Sequence, residues 1–228
     1  MSQPSRPLIS RLTWIYTLTL TSLLVLLVPL MAHAQPEKFI AGKNYHVLDS
    51  PVRTRDSAKI EVVEVFWYGC SHCYHFEPLI KQWKKRQTAD VDFWQSPAMW
   101  NAAMKTHAKA FFTAKALGVL DKLHTPLFTT LVVERKHLNS QQEIGDLFAD
   151  YGVDRDKFNK TFKSFSVNSK VKQADARARS YKISGTPEVV VNGKYRVTAK
   201  LAGGQAEMLD VLDFLINKER SPLTAVTK

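Results

Sequence analysis

The chain has 228 residues, 45% of them hydrophobic, which is enough for one domain with its own core and room for an inserted subdomain. Cys70 and Cys73 are its only cysteines, so no disulfide framework holds the fold; a bridge across two residues removes little chain entropy. The formal net charge of +11 fits solvated helix faces, with attraction to anionic membranes or acidic clients as the rival reading, and nothing in it argues for nucleic acid.

Residues 1–34 read as an export signal. Arg6 and Arg11 supply a positive start, the dense apolar core runs from Leu23 to Leu30, and Ala32-His33-Ala34 is a small-residue cleavage pattern leaving Gln35 first. The rival is an uncleaved transmembrane anchor over Leu12 to Ala32, diluted in its front half by Thr13, Thr17, Thr19, Thr21 and Ser22. No cysteine sits near the cleavage point for lipid attachment, and export places Cys70 and Cys73 in an oxidising compartment.

Tyr45 to Leu48 reads as a short edge strand, and Ile60 to Tyr68 as a buried central strand ended by Gly69. A helix then starts around Cys70 and carries Tyr74, Phe76, Leu79, Ile80 and Trp83, with Pro78 inside it. Val91 to Trp94 is the next strand, completing a βαβ unit. Helices follow: Ala102 to Leu117, stopped by Gly118; one opened by the capping box Ser140-Gln141-Gln142-Glu143 and closed near Gly152; one capped by Asp154; and a long one from about Val167 to Tyr181. Strands return at Glu188 to Val191 and Tyr195 to Thr198 around the hairpin signal Asn192-Gly193. Gly203-Gly204 precedes a last amphipathic helix with Met208, Leu212 and Leu215, and the tail after Lys218 is expected to fray. The expected division is a signal peptide at 1–34, a first domain part at 35–97, an inserted helical domain at 98–180 and a second domain part at 181–228.

Two thiols kept three positions apart behind an apolar strand point to dithiol–disulfide exchange. A cysteine at a helix start meets unpaired backbone N–H groups and the positive end of the helix dipole, both of which favour thiolate. Cys70 is therefore the attacking and attacked sulfur, His72 adds an imidazole that when protonated favours the same thiolate, and Cys73, one turn further in, is the buried resolving thiol. Cys70, His72, Cys73 and His75 are also a metal-ligand set by composition, but one tetrahedral site from a single helical turn is strained, so metal binding stays a rival.

Cys70-Ser71-His72-Cys73, the strand before it, Pro78, and Gly185-Thr186-Pro187 followed by a strand together resemble the thioredoxin superfamily. The helical block with Ala116-Leu117-Gly118-Val119, and Val191-Asn192-Gly193-Lys194-Tyr195 after the proline, resemble the DsbA family of periplasmic disulfide oxidases. The resemblance implies an α/β thioredoxin fold with an inserted all-helical domain, working as a monomer without a bound cofactor. It implies a cis Pro187 facing Cys70 and Cys73, with Thr186 and Pro187 binding substrate backbone as an added strand. It also implies that Glu64, which strand alternation alone could turn either way, is buried and passes protons to or from Cys73. Family members often pair that acid with a lysine on the next strand; here the matching stretch is Phe93-Trp94-Gln95. Clients would be exported unfolded proteins with free cysteines, and reoxidation would come from a DsbB-like membrane quinone reductase. The alternatives are an isomerase or reductase on the same fold, for which Thr186 gives some support, a Cys/His metal-binding or copper-delivery protein, and a non-catalytic binding module.

Overall fold

The computed structural model describes residues 37–225. The export signal and its rival anchor lie outside them, and no described helix is long and apolar enough to cross a membrane. In chain order the elements are β1 (His46–Val47), β2 (Ile60–Phe66), α1 (Ser71–Lys85), β3 (Val91–Pro97), α2 (Ala102–Ala116) and α3 (Leu120–Phe128). A π-helical turn (Thr129–Val133) precedes α4 (Gln141–Asp150), α5 (Arg155–Phe162) and α6 (Phe165–Ser180). Then come β4 (Glu188–Val191), β5 (Tyr195–Thr198), α7 (Ala199–Ala202) and α8 (Gln205–Ala225).

The β-branched run of β2 makes it an interior strand of a five-stranded sheet ordered β1-β5-β4-β2-β3, paired on both sides although the middle position expected of it is taken by β4. β3 pairs with it in parallel, residue for residue from Ile60↔Val91 to Phe66↔Pro97, so Glu64 lies opposite Gln95. β4 pairs with it antiparallel, placing Val189 on Glu64's other side. All seven β2 residues are buried, as a strand covered on both faces requires. On one face Ile60 and Val62 pack with Phe76, Ile80 and Trp83 of α1 and with Met208, Leu212 and Leu215 of α8. On the other, Val63 and Val65 meet Met104, Tyr181 and Val190. The β4–β5 hairpin turns at Asn192 and Gly193, both at positive φ, and a Cβ on Gly193 would stand 1.9 Å from the Val52 carbonyl oxygen, which only glycine avoids.

The helices at 102–180 fall inside the expected insert, and they do not keep a core to themselves. Phe111 of α2 and Leu123, Leu127 and Phe128 of α3 share one apolar cluster with Phe66, Tyr68 and Cys73. Several boundaries differ from the sequence reading. β2 stops at Phe66, two residues short of Tyr68, β3 runs on to Pro97, and α6 starts two residues earlier at Phe165. α8 continues past Lys218 to Ala225 where fraying was expected, and the segment from Leu120 to Val133, for which no element was expected, is helical. Val119 caps α3 without a side-chain hydrogen bond and Pro126 sits inside it, so the usual start signal is missing and a breaker is present.

Candidate active site

Gly69 and Cys70 form the corner between β2 and α1. The indole of Trp67 folds over Gly69 so closely that a Cβ there would lie 2.4 Å from a ring atom. Cys70 is the N-cap, with extended backbone, and its Sγ accepts the Cys73 backbone N–H at 3.3 Å. A cap position normally filled by a hydroxyl or carboxylate oxygen is held here by sulfur, and the N–H that it satisfies prefers it charged. Cys70 and Cys73 are both free thiols.

The hydrogen bond from the Cys73 thiol does most to bring Cys70 down to about 5, against the resistance of partial burial. A side-chain hydrogen bond from Thr186 and the backbone N–H groups of Cys73 and His72 add to it. Cys73 goes the other way: it is fully buried, and burial, the hydrogen bond that it gives to Cys70, and the charges of Cys70 and Glu64 push its thiol far up. The two sulfurs thus separate into one that is thiolate at neutral pH and one that must hold a proton.

Thr186–Pro187 is a cis peptide and lies beside the pair, with the Thr186 carbonyl oxygen 3.3 Å from Cys70 Sγ. Residues 116 positions apart are thereby brought into contact. His72 is exposed, its carbonyl accepts from Gln205 Nε2 at 2.7 Å, and its contribution to the thiolate comes through its backbone N–H, whereas the sequence pointed to its ring. Among the described residues no three His, Cys, Asp or Glu side chains converge as a metal-ligand set.

Glu64 is turned to the α1 face and fully buried. Its Oε2 accepts from Gln95 Nε2 at 2.8 Å, and its Oε1 is buried without a hydrogen-bond partner. Burial first, then the charge of Glu77, raise its carboxyl to about 8, only partly offset by Gln95. Gln95 takes the place of the expected lysine and also donates to Glu77 Oε2 at 2.9 Å. Burial resists ionisation of Glu77, yet His124 and Lys81 overcome it and hold this carboxyl below the usual range. Lys81 Nζ is 3.0 Å and His124 Nε2 3.2 Å from Glu77 Oε1, and His124 Nδ1 is 2.7 Å from the Tyr68 hydroxyl. Sequence reasoning missed Glu77, His124 and Tyr68 as members of the site. Glu77 stands one helical turn after Cys73, a readable signal; His124 comes from a helix that carried none.

The site can therefore attack or release a disulfide at an accessible thiolate while keeping its second sulfur, and an acid with a proton to give, out of water. A family model described as a DSBA-like thioredoxin domain matches residues 79–210. The thiol:disulfide interchange protein DsbA of Pseudomonas aeruginosa is 41% identical over 204 residues, spanning 90% of this chain and 97% of its own. The protein of the same name from Azotobacter vinelandii is 41% identical over 186 residues, 82% of this chain and 87% of its own. The crystal structure of Pseudomonas aeruginosa DsbA matches with a TM-score of 0.79 at 41% identity, covering 82% of this chain and 97% of that one. That of the oxidoreductase DsbA from Xylella fastidiosa matches with a TM-score of 0.75 at 33% identity, covering 80% and 98%. With the sheet order, the cis Thr186–Pro187 bond and the Cys70/Cys73 pair in place, the chain belongs to the DsbA-like thioredoxin-domain family and is a thiol:disulfide interchange oxidoreductase.

Proposed function

We propose that the protein works in the periplasm as a dithiol oxidase, passing its Cys70–Cys73 disulfide to newly exported proteins. The observation that carries this direction is the contrast between the two sulfurs: Cys70 is brought down to about 5 and Cys73 is driven far up. A stabilised Cys70 thiolate favours the reduced protein, and hence transfer of the disulfide outward.

In the forward reaction a client thiolate attacks Cys70 Sγ, the Cys70–Cys73 bond breaks, and the electron pair leaves on Cys73. That sulfur is too basic to remain charged in its buried position, and Glu64, protonated at neutral pH, supplies the proton. The client's second thiolate then attacks its own sulfur in the mixed disulfide and releases the Cys70 thiolate, the better leaving group of the two. The client has lost two electrons, and the protein holds them as a dithiol. Thr186 and Pro187, beside Cys70, position the client backbone. A DsbB-like membrane quinone reductase removes the two electrons and restores the disulfide.

Client trapping tests the assignment. Cys73→Ser leaves Cys70 able to form a mixed disulfide with no internal thiol to resolve it, so covalent complexes accumulate on non-reducing gels, whereas Cys70→Ser accumulates few. Equal trapping by the two variants reverses or abolishes the roles given to the sulfurs.

A further inference from the structure

A cleft of about 780 Å³ opens at the edge of β3 against α2 and α6, and none of Cys70, Cys73, Glu64, Thr186 or Pro187 lines it. Its size is that of a small-molecule site. Val52, Phe112 and Val167 give it apolar walls. Two guanidinium groups stand over the Trp94 ring, Arg55 at 5.0 Å and Arg177 at 5.4 Å from its centroid. Both arginines are already committed to acids. Arg55 makes two hydrogen bonds to Asp92, and Arg177 stands 3.6 Å from the buried Glu61 and donates to the Tyr181 hydroxyl at 3.1 Å.

Lys115 of α2 and Lys170 of α6 line the same cleft, and neither side chain has an ion-pair or hydrogen-bond partner among the described residues. They are close enough to feel each other: desolvation first, then the charges of Arg55 and Lys170, hold the Lys115 ammonium below its ordinary range, with Asp92 offsetting only part. The fold has therefore gathered cations on the wall of an apolar cleft and given the local carboxylates to the arginines, leaving two ammonium groups without an anion. Like charges placed together repel, and an anionic ligand removes that repulsion.

We infer that this cleft binds a small amphiphilic carboxylate, its head held by Lys115 and Lys170 and its hydrocarbon body against Val52, Phe112 and Val167. Decanoate is the probe and decan-1-ol its uncharged counterpart, titrated at low ionic strength into the purified protein and followed by calorimetry and amide and indole NMR shifts. Decanoate should saturate one site, with shifts centred on the Trp94 indole and the Ala116 and Ala174 amides, and bind at least tenfold more tightly than the alcohol. The double variant Lys115→Gln/Lys170→Gln should bind decanoate at least tenfold more weakly while oxidising a dithiol peptide at the wild-type rate, which separates loss of the site from loss of the fold. The inference is overturned by an absence of saturable binding, by shifts centred on Cys70, by equal affinity for the alcohol, or by undiminished binding to the double variant.

Discussion

Cys70 ionisation makes a quantitative demand on the relative stabilities of the two redox forms. Reduction creates a thiol whose pKa is about 5 in the fold against 9.0 for an unperturbed one. Because the folded value is the depressed one, the stabilisation is complete above the unfolded value and is lost as pH falls through the folded one. Linkage then assigns the reduced fold about 2.7 kcal/mol at pH 7 and about 4 kcal/mol at pH 8, with almost nothing below pH 5. Cys70 is partly exposed, and solvent screening trims these figures to about 2 and about 3 kcal/mol. Closing a four-residue loop in the unfolded oxidised chain favours the oxidised form by about 2 kcal/mol at every pH.

The difference between the forms should therefore change sign. Oxidised protein is the more stable at pH 5, the two converge near pH 7, and reduced protein is ahead at pH 8, a swing of about 3 kcal/mol. Glu64 titrates in the same window and is present in both forms, so its burial and the Glu77 charge cancel in the comparison; only the smaller effect of the Cys70 charge on it is confined to the reduced form. That the reduced form of DsbA is the stabilised one is established for that protein; the crossing follows from the groups around Cys70 here. Paired urea melts at pH 5, 6, 7 and 8, with redox state checked by thiol labelling, measure it. A stability difference that stays flat or falls with rising pH would refute the thiolate argument and promote the reductase reading.

Three further outcomes follow from the buried acids and from His72. Glu64 has a raised pKa, so its contribution to stability is intact below the unfolded value of 4.5 and lost as pH rises through about 8. Glu64→Gln should gain on the order of a few kcal/mol over the wild type between pH 4.5 and pH 8 in urea melts, and oxidise a dithiol peptide several-fold more slowly at pH 7; parallel melts and unchanged rates would leave Glu64 without the proton role. Gln95→Lys places a cation between Glu64 and Glu77 and should lower the Glu64 carboxyl to about 5–7, read by carbon-13 carboxyl titration, with an unmoved titration ruling out the contact. His72→Ala should leave Cys70 ionising near the wild-type value of about 5 by ultraviolet thiolate absorbance, because the peptide N–H survives the substitution; a rise of a full pH unit would restore the ring to the site.

What was legible before the structure is what local chemistry dictates. The run from Ile60 to Tyr68 reads as a covered strand closed by Gly69, and the fold keeps it as far as Phe66; the Ser140–Glu143 capping box and the Asn192-Gly193 turn each satisfy their own backbone. Pro187 was placed by resemblance, since a proline at a strand start says little alone. Leu120 to Val133 stayed hidden because its order comes from distant partners: Leu123, Leu127 and Phe128 are held by Phe66, Tyr68 and Phe111. His124 entered the site by the same route, unannounced by its neighbours in sequence.

Gln95 shows where residue-by-residue reading stops. Taken as a missing lysine, it leaves Glu64 merely easier to protonate. In the fold its one amide nitrogen serves two carboxylates, Glu64 and Glu77, at 2.8 and 2.9 Å. An amide N–H of this kind donates a hydrogen bond but does not take up a proton at neutral pH, so the line from Glu64 through Gln95 to Glu77, His124 and Lys81 carries electrostatic influence and no protons. Glu77, kept ionised by Lys81 and His124, raises Glu64, and Gln95 bridges the two without relaying a proton between them. In the proposed mechanism the proton on Glu64 exchanges on the cysteine side, where Cys73 needs one each time the disulfide opens and must give one up each time it closes.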